Sequence, residues 1–325
     1  NNKNGRCIIM TTYKALKGKK VKFLASDPPA AVAEGQVWYN GADYKTSVKE
    51  AAWANGGNLG TARYSFAASG TQTAALVAGG NDPEATAVVE EYNGSAWSEV
   101  NNIPTATNNI RGFGSQTASV AAGKIGAVAT YEYDGTNWTG GGDMNTARGI
   151  GTCNGTLTAG LYAGGYNSGA NVDDSESYNG TSWTSTNDIN TARRGGQSAG
   201  TLTAAVLMAG LNSTGYPSSK NVEEFNGTSW SNVNSSTNNR YGGLGGGELQ
   251  TAGFIAGGNN GPATINNTEL YDGTNWSNAA TITTARYNGG GGGSTTAGVI
   301  FGGIGPNAQT EEFTTAATVK VITDS

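Results

Sequence analysis

A tryptophan followed ten residues later by an arginine recurs along this chain, and it constrains the fold more than any other feature. The tryptophans are Trp53, Trp97, Trp138, Trp183, Trp230 and Trp276. The residues ten positions on are Arg63, Thr107, Arg148, Arg193, Arg240 and Arg286. Successive tryptophans are 44, 41, 45, 47 and 46 residues apart. A period in the forties with Gly and aromatic marks is typical of radial or solenoid repeats, chiefly β-propellers.

Each repeat contains the marks of four short antiparallel strands. In the first, an apolar run ends in Gly79-Gly80, a further strand ends at Tyr92, and Trp97 lies on the returning strand. Asn93-Gly94 between them is typical of a two-residue type I′ hairpin, which requires positive φ at both central residues. With one more strand after the arginine, the unit predicts a propeller blade. The 52 glycines and the lack of helical apolar spacing agree with this all-β prediction.

The marks resemble the kelch repeat: an apolar strand ending in Gly-Gly, then an aromatic residue, then tryptophan. The resemblance covers about residues 53–318 and implies a six-bladed β-propeller. Thr107 in the arginine place departs from the pattern, as does the Gly pair that is reduced to Gly123-Lys124 and Ala209-Gly210 in two units.

The two ends of the repeat array predict how the ring closes. The sixth copy has Glu311-Glu312-Phe313 but Thr318 where tryptophan is due, and Trp53 lacks a preceding hairpin strand in its own copy. We expect the segment around Trp53 to join the sheet begun by residues 286–313, because closure removes exposed sheet edges. Thr318–Thr323 is predicted to supply a further or competing edge strand.

The first fifty residues differ from the rest in charge and pattern. Residues 1–50 hold nine Lys and Arg against four acids, whereas residues 51–325 hold ten against twenty. The pattern predicts a basic N-terminal β-hairpin arm, residues 1–50, in front of a propeller, residues 51–325. A solvated hairpin is one interpretation of the basic residues, and docking to a partner is the other. The candidate docking residues are Lys14, Lys17, Lys19, Lys20, Lys22, Trp38 and Tyr39.

Three phrases of the chain resemble virion proteins of tailed bacteriophages: GQVWYNG, AAWANGGNLGTAR and GTQTAA. In those proteins a short N-terminal attachment region is followed by a domain built from repeats. The resemblance implies a non-catalytic virion structural protein, assembled in the host cytoplasm and exposed on the particle surface. The arm would contact other virion proteins and the propeller would bind a host glycan or protein. A homo-oligomer is expected, with a trimer suited to intertwined arms.

Composition limits the available chemistry. The chain contains no histidine, which removes the usual general base and the commonest metal ligand, so we expect no metal site and no cofactor. Cys7 and Cys153 lie in different parts of the chain and predict no disulfide framework. The chain has no run of 18 or more apolar residues, so a membrane span is not expected. Residues 51–325 carry an excess of acidic residues, so binding to nucleic acid is not expected either. We therefore expect no enzyme activity, with surface polysaccharide depolymerisation as a distant alternative.

Two sets of residues are candidates for ligand binding. One is a ring of arginines at the channel mouth, although a structural role between blades is favoured because the residue recurs: Arg63, Arg148, Arg193, Arg240 and Arg286. The other is the face carrying the connections between second and third strands, which vary in length as binding loops do. Its residues are Asn81, Asp82, Tyr166, Asn167, Asn212, Tyr216, Asn259, Asn260 and Asn307. Tolerated drift in exposed loops is the alternative explanation of that variation.

The preferred function is host-surface adhesion as a tail fibre or receptor-binding appendage. A capsid decoration or head-fibre protein is the second choice, because the same combination of anchor and displayed propeller would serve there. The carboxylate pairs such as Glu90/Glu91 recur at one blade position and so favour a structural role over a catalytic one.

Overall fold

A computed structural model describes residues 21–30, 33, 36–40, 42–212, 218–304 and 308–322. These residues form strands, turns and irregular connections, and no helix long and apolar enough to cross a membrane is found among them. They fall into two compact units: Ala52–Thr314, and the described residues before and after it. The C-terminal end therefore groups with the N-terminal arm, which the predicted boundary of 51–325 did not anticipate.

Five blades are four-stranded antiparallel sheets in which consecutive strands pair. The first is β4 (Ala67–Thr71), β5 (Ala74–Ala78), β8 (Val89–Tyr92) and β9 (Trp97–Val100), with the small hairpin β6 (Asn81–Asp82) and β7 (Glu84–Ala85) in its 2–3 connection. The second is β10 (Arg111–Ser115), β11 (Ala118–Lys124), β12 (Ala127–Tyr133) and β13 (Trp138–Gly140). The third is β14 (Thr152–Thr156), β15 (Ala159–Asn167), β16 (Ala170–Tyr178) and β17 (Trp183–Ser185). The fourth is β18 (Gln197–Thr201), β19 (Ala204–Leu211), β20 (Ser218–Phe225) and β21 (Trp230–Val233). The fifth is β22 (Leu244–Leu249), β23 (Ala252–Ala256), β24 (Thr268–Tyr271) and β25 (Trp276–Ala279).

The sixth blade is completed from both ends of the chain. Its strands are β26 (Gly290–Gly293), β27 (Ala297–Phe301), β28 (Thr310–Val321) and, from the N-terminal side, β3 (Tyr44–Asn55). Trp53 on β3 packs on Phe313 with ring centroids 5.0 Å apart, the distance found between Tyr92 and Trp97 within the first blade. The predicted joining of the Trp53 segment is confirmed. Around the axis, each innermost strand contacts that of the next blade, and β26 contacts β4, which closes the ring.

The prediction of a separate edge strand over Thr318–Thr323 is wrong. Thr310–Val321 is one continuous strand, and it pairs antiparallel with β3. The Gly56 N–H donates to the Thr310 carbonyl at one end, and the Ile322 N–H donates to that of Tyr44 at the other. Both strands are twelve residues long, so they extend past the length of a blade strand, and Thr318 lies within β28 instead of on a strand of its own.

The N-terminal arm contains two further strands of the same sheet, β1 (Val21–Phe23) and β2 (Val37–Tyr39). β2 forms the predicted hairpin with β3, and β1 adds to β2 in parallel. Residues 1–20 of the predicted arm lie outside the described residues.

The core lies between blades rather than in one central cluster. Buried aliphatic and aromatic side chains of neighbouring sheets pack together, as in the contact of Phe66 and Phe301, whose rings stack at 5.7 Å. The tryptophans contribute to these layers and tie adjacent blades. Trp53, Trp97 and Trp183 donate from Nε1 to the hydroxyl of a threonine on the third strand of the preceding blade, at 2.9–3.0 Å. The indole N–H groups of Trp138 and Trp230 are buried without such a partner, so the feature that all six tryptophans share is packing on the aromatic residue of the third strand, with ring centroids 4.8–5.0 Å apart.

The two-residue type I′ hairpin predicted between third and fourth strands is wrong. Tyr92 pairs with Trp97, so four residues form the loop, and in it Gly94 has positive φ whereas Asn93 does not. The Asn93 side-chain oxygen instead accepts the N–H groups of Ser95 and Ala96. The same arrangement holds at Asp134. The Asn-Gly signal therefore reflects side-chain capping of the loop together with one left-handed glycine.

Candidate functional site

The blade geometry gathers the connections onto two opposite faces, as the strand order predicts. The 3–4 loops adjoin the 1–2 turns, since a Cβ added at Gly94 would lie 3.4 Å from Thr73. On the other face, the residue after each arginine bridges to the start of the 2–3 connection, for instance Tyr64 to Asn81 and Tyr241 to Asn259. We refer to this second face as the 2–3 face.

The five recurrent arginines do not line the channel mouth. Each is almost completely buried in its own blade and forms a salt bridge with a buried glutamate on the third strand. The pairs are Arg63–Glu90, Arg148–Glu176, Arg193–Glu223, Arg240–Glu269 and Arg286–Glu311. Burial lowers the pKa of Arg193 and Arg240, and the paired carboxylate opposes that shift. The geometry thus corresponds to a structural role, and it corrects the hypothesis of an exposed anion-binding ring.

The glutamate of each pair also holds the connection that leads into the blade. The Glu90 carboxylate accepts the N–H groups of Gly60 and Thr61 at 2.6 and 3.1 Å. Glu269 does the same for Thr237 and Asn238. Desolvation acts to raise the pKa of Glu269, but Arg240 and these N–H donors outweigh it, so its pKa is lowered. Arginine, glutamate and loop backbone form one buried unit.

A second set of carboxylates joins neighbouring blades. The tyrosine that ends a third strand donates its hydroxyl to a glutamate on the third strand of the preceding blade. The pairs are Tyr92–Glu312, Tyr133–Glu91, Tyr178–Glu132 and Tyr271–Glu224. Burial and the acceptor glutamate raise the pKa of Tyr92 and Tyr178 to about 12. In a pair such as Glu90/Glu91, Glu90 therefore accepts from the arginine of its own blade, and Glu91 accepts from the tyrosine of the next blade.

A closed circle of backbone hydrogen bonds surrounds the axis at the 2–3 face. It is formed by the residue two positions after each arginine or its replacement, and all six have φ between 56° and 63°. Each N–H donates to the carbonyl of the same residue in the preceding blade, at 2.7–3.0 Å. The members are Ser65, Asn109, Ile150, Gly195, Gly242 and Asn288. The true ring of this propeller is thus made of main chain, and sequence reasoning missed it.

A cavity of about 370 Å³ occupies the channel between the six innermost strands. Glycine backbone forms much of its lining, and side chains that reach it include Arg111, Asn154, Gln197, Ser198 and Glu248. Among the described residues no group of three or more His, Cys, Asp or Glu could hold a metal ion.

Several predicted loop residues on the 2–3 face form hydrogen bonds within the protein. The Asn81 side chain accepts from Asn108 at 2.6 Å, and Asn259 and Asn260 accept N–H groups of Gly261 and Ala263. The Asn167 side chain likewise accepts from the neighbouring Ser168 hydroxyl. The Asp82 and Asn212 side chains are exposed. Tyr216 and Asn307 lie outside the described residues.

The residue after each arginine was missed as a candidate, and in half of the blades it is aromatic. It is tyrosine in three consecutive blades, at Tyr241, Tyr287 and Tyr64, and all three are half-buried. The Tyr241 and Tyr287 rings are 5.6 Å apart in an edge-on arrangement. In the fourth blade the position is Arg194, whose guanidinium lies 4.3 Å from the centre of the predicted Tyr166 ring. Alignment on the position after the arginine would have found this arc.

The predicted docking residues of the arm differ in their surroundings, and four of them lie outside the described residues. Trp38 is buried, and its indole N–H donates to Asp27 at 2.9 Å, so it stabilises the arm instead of presenting a surface. Lys45 forms an ion pair with the same carboxylate at 2.6 Å. The Tyr39 ring packs on Tyr44 at 5.0 Å. Lys22 lies in β1, whereas Lys14, Lys17, Lys19 and Lys20 lie outside the described residues.

Comparison with known proteins supports the fold. No family model and no curated protein matches the chain. Among solved structures, the structure of YjhT superimposes with a TM-score of 0.65 over 80% of this chain and 99% of that one, at 11% sequence identity. At that identity the similarity concerns architecture alone. The protein is an all-β, six-bladed β-propeller.

Proposed function

We propose that this propeller is a non-catalytic, kelch-type binding module of a bacteriophage particle, and that its 2–3 face adheres to a glycan of the host surface. The observation that carries the proposal is the break in sixfold repetition on that face. Tyr241, Tyr287 and Tyr64 stand together on three consecutive blades, whereas the equivalent residues elsewhere are Asn108, Gly149 and Arg194. A scaffold alone does not require this asymmetry.

The chemistry of the face suits a sugar. Half-buried tyrosine rings offer flat apolar surfaces with a polar edge, which pack against the C–H faces of sugar rings. Nearby amide groups, including those of Asn109 and Asn288, can donate to and accept from hydroxyls. Tyrosine and asparagine supply rigid contact area and adaptable hydrogen bonds in other binding surfaces built on fixed scaffolds.

The disposition of the acids supports the non-catalytic part of the proposal. Nine carboxylates of the repeats are held by arginine or tyrosine within the scaffold. A glycosidase needs two carboxylates facing each other across a cleft, separated by about 5–10 Å. Depolymerase activity can be tested by incubating the protein with host capsular polysaccharide and measuring new reducing ends. We expect none above a heat-denatured control.

Adhesion is tested on a glycan array with the full chain and variants that retain the scaffold. Tyr287→Ala and Tyr64→Ala remove half-buried rings from the arc, and we expect each to lower the signal at least tenfold. Leu249→Ala removes an exposed apolar side chain from the opposite face and serves as the control. Binding that survives both tyrosine substitutions, or is lost equally in the Leu249 variant, would exclude the 2–3 face as the adhesion site.

The place on the particle is a separate part of the proposal. The phrases GQVWYNG, AAWANGGNLGTAR and GTQTAA favour a virion protein attached through its N-terminal arm. We favour a tail fibre or receptor-binding appendage, with capsid decoration as the alternative. Immunogold labelling of intact particles separates them, since label confined to the capsid would contradict the tail assignment and absence from particles would contradict both.

A further inference from the structure

The second blade breaks the repeat at two coupled positions. Thr107 stands in the place of the arginine, and Tyr131 stands where the other blades have the partner glutamate. An arginine does occur four residues later, as Arg111, at the first position of the innermost strand β10. The equivalent residues of the other blades are Ala67, Thr152, Gln197, Leu244 and Gly290. One blade has therefore lost a buried ion pair and carries a cation in the channel instead.

Arg111 differs from the five paired arginines in its surroundings. Its side chain lines the central cavity and donates from Nε to the Gly151 carbonyl at 3.0 Å and from Nη1 to that of Ile110 at 3.3 Å. Among the described residues, Nη2 has no hydrogen-bond acceptor and no carboxylate lies within salt-bridge distance of the guanidinium. Two carbonyls thus position the group while one edge of it is left without a partner.

The charge of Arg111 is not balanced nearby. Burial lowers the pKa of Arg111, and its interacting neighbours are Tyr162 and Cys153. Burial raises the pKa of both of these groups to about 12, so they are neutral at pH 7. Glu248 also lines the cavity, but it belongs to the fifth position of its inner strand, at the other end from Arg111. A partly buried cation without a counter-charge is costly, and a bound anion would lower that cost.

We propose that the channel binds a small oxyanion ligand, with Arg111 holding its carboxylate. The planar guanidinium matches the geometry of a carboxylate, and the polar side chains of Thr152 and Gln197 line the cavity from the next two blades. A cavity of about 370 Å³ accommodates a small organic acid. This site lies inside the ring of innermost strands, so it is separate from the tyrosine arc of the 2–3 face and does not depend on the adhesion proposal.

The test uses three ligands and the full chain at constant ionic strength. Isothermal titration calorimetry and thermal unfolding are carried out with D-glucuronate, with glucose as its uncharged counterpart, and with inorganic phosphate. Glucuronate is expected to bind and to raise the unfolding temperature, and glucose is expected to do neither. If phosphate binds and glucuronate does not, the channel still contains an oxyanion site, but its ligand is phosphate and the carboxylate assignment is wrong.

Variants assign the binding to the guanidinium. Arg111→Gln removes the charge and is expected to weaken glucuronate binding at least tenfold, whereas Arg111→Lys retains the charge and is expected to keep part of it. Lys220→Gln, at an exposed cation outside the cavity lining, is the charge-matched control and is expected to bind like the natural protein. Should Arg111→Gln fail to fold, competition between glucuronate and chloride in the natural protein and the lysine variant replaces it. Equal binding of glucuronate and glucose, or undiminished binding to a folded Arg111→Gln protein, would overturn the proposal.

Discussion

At the scale of single residues, departures from the repeat occur in matched pairs. Where the third strand has phenylalanine in the place of this tyrosine, the preceding blade lacks the acceptor glutamate. Phe225 corresponds to Ser177 in the preceding blade, and Phe313 corresponds to Leu270. Every tyrosine at this position has its glutamate. A hydroxyl buried without an acceptor costs free energy, so the two residues change together.

This pairing predicts a specific coupling between Tyr92 and Glu312. Tyr92→Phe leaves the carboxylate without its donor and should lower the free energy of unfolding by about 1–3 kcal/mol. Adding Glu312→Leu recreates the natural Phe313–Leu270 combination and should recover most of that loss. Urea unfolding of the two single variants and the double variant measures the coupling, and simple additivity of the two changes would contradict it.

The circle of left-handed residues contains one that is poorly suited to its conformation. Ile150 has φ of 59°, which is strained for a β-branched side chain, whereas two other members are asparagine and two are glycine. Ile150→Asn should therefore raise stability by about 1 kcal/mol. Ile125→Asn, at a half-buried isoleucine of the neighbouring turn that lacks positive φ, is the control and should show no gain in thermal unfolding.

At the scale of the element, five of the six blades are attached to the incoming chain by a buried arginine–glutamate pair. The Arg240 guanidinium also donates to the Gly257 and Asn267 carbonyls, at 2.7 and 2.9 Å. One side chain thus joins the first turn of the blade to its second and third strands. Repetition of this arrangement in five blades explains why arginine follows five of the six tryptophans at a constant distance, because the intervening loop has a fixed path.

The lowered pKa of Glu269 makes the contribution of the Arg240–Glu269 pair to stability dependent on pH. A carboxylate whose pKa is lower in the folded state stabilises the fold above its unfolded pKa of about 4.3, and the contribution is lost as pH falls through the folded value. We expect the free energy of unfolding to fall below pH 4.5. Glu269→Gln should be less stable at pH 7 and should show a shallower acid dependence in urea unfolding. Glu84→Gln, at an exposed carboxylate of β7, is the charge-matched control, and an equal slope in all three proteins would contradict the prediction.

At the scale of the whole molecule, the ring is closed by one strand supplied from the opposite end of the chain. β3 brings Trp53 to the sixth blade, where its indole N–H donates to Thr268 and to the Ala280 carbonyl, both at 3.0 Å. The blade that begins at Gly290 would otherwise present an open edge at β28. Closure of this kind removes an edge that could pair with another molecule.

Two truncations test the importance of this strand. Removal of residues 1–43 leaves β3 intact, and we expect a monodisperse protein with cooperative unfolding. Removal of residues 1–56 deletes β3 and should lower the unfolding temperature by at least 10 °C and promote association. Size-exclusion chromatography with light scattering and calorimetry distinguish these outcomes, and equal behaviour of the two truncated chains would show that β3 does not close the ring.

The number of blades, the four-stranded unit and the participation of Trp53 in closure could be predicted from the sequence, because they follow from local periodicity and from the need to pair strand edges. The sequence also favoured a structural role for the repeated arginines and acids. The partners of these side chains are known only from the folded chain, since Arg63 and Glu90 are 27 residues apart and Tyr92 and Glu312 are 220 apart. The backbone circle at Ile150 and the unpaired Arg111 depend on contacts between blades, and no local pattern encodes such contacts. Repetition within the chain revealed the scaffold, whereas the candidate sites emerged where folding brought the exceptions to that repetition together.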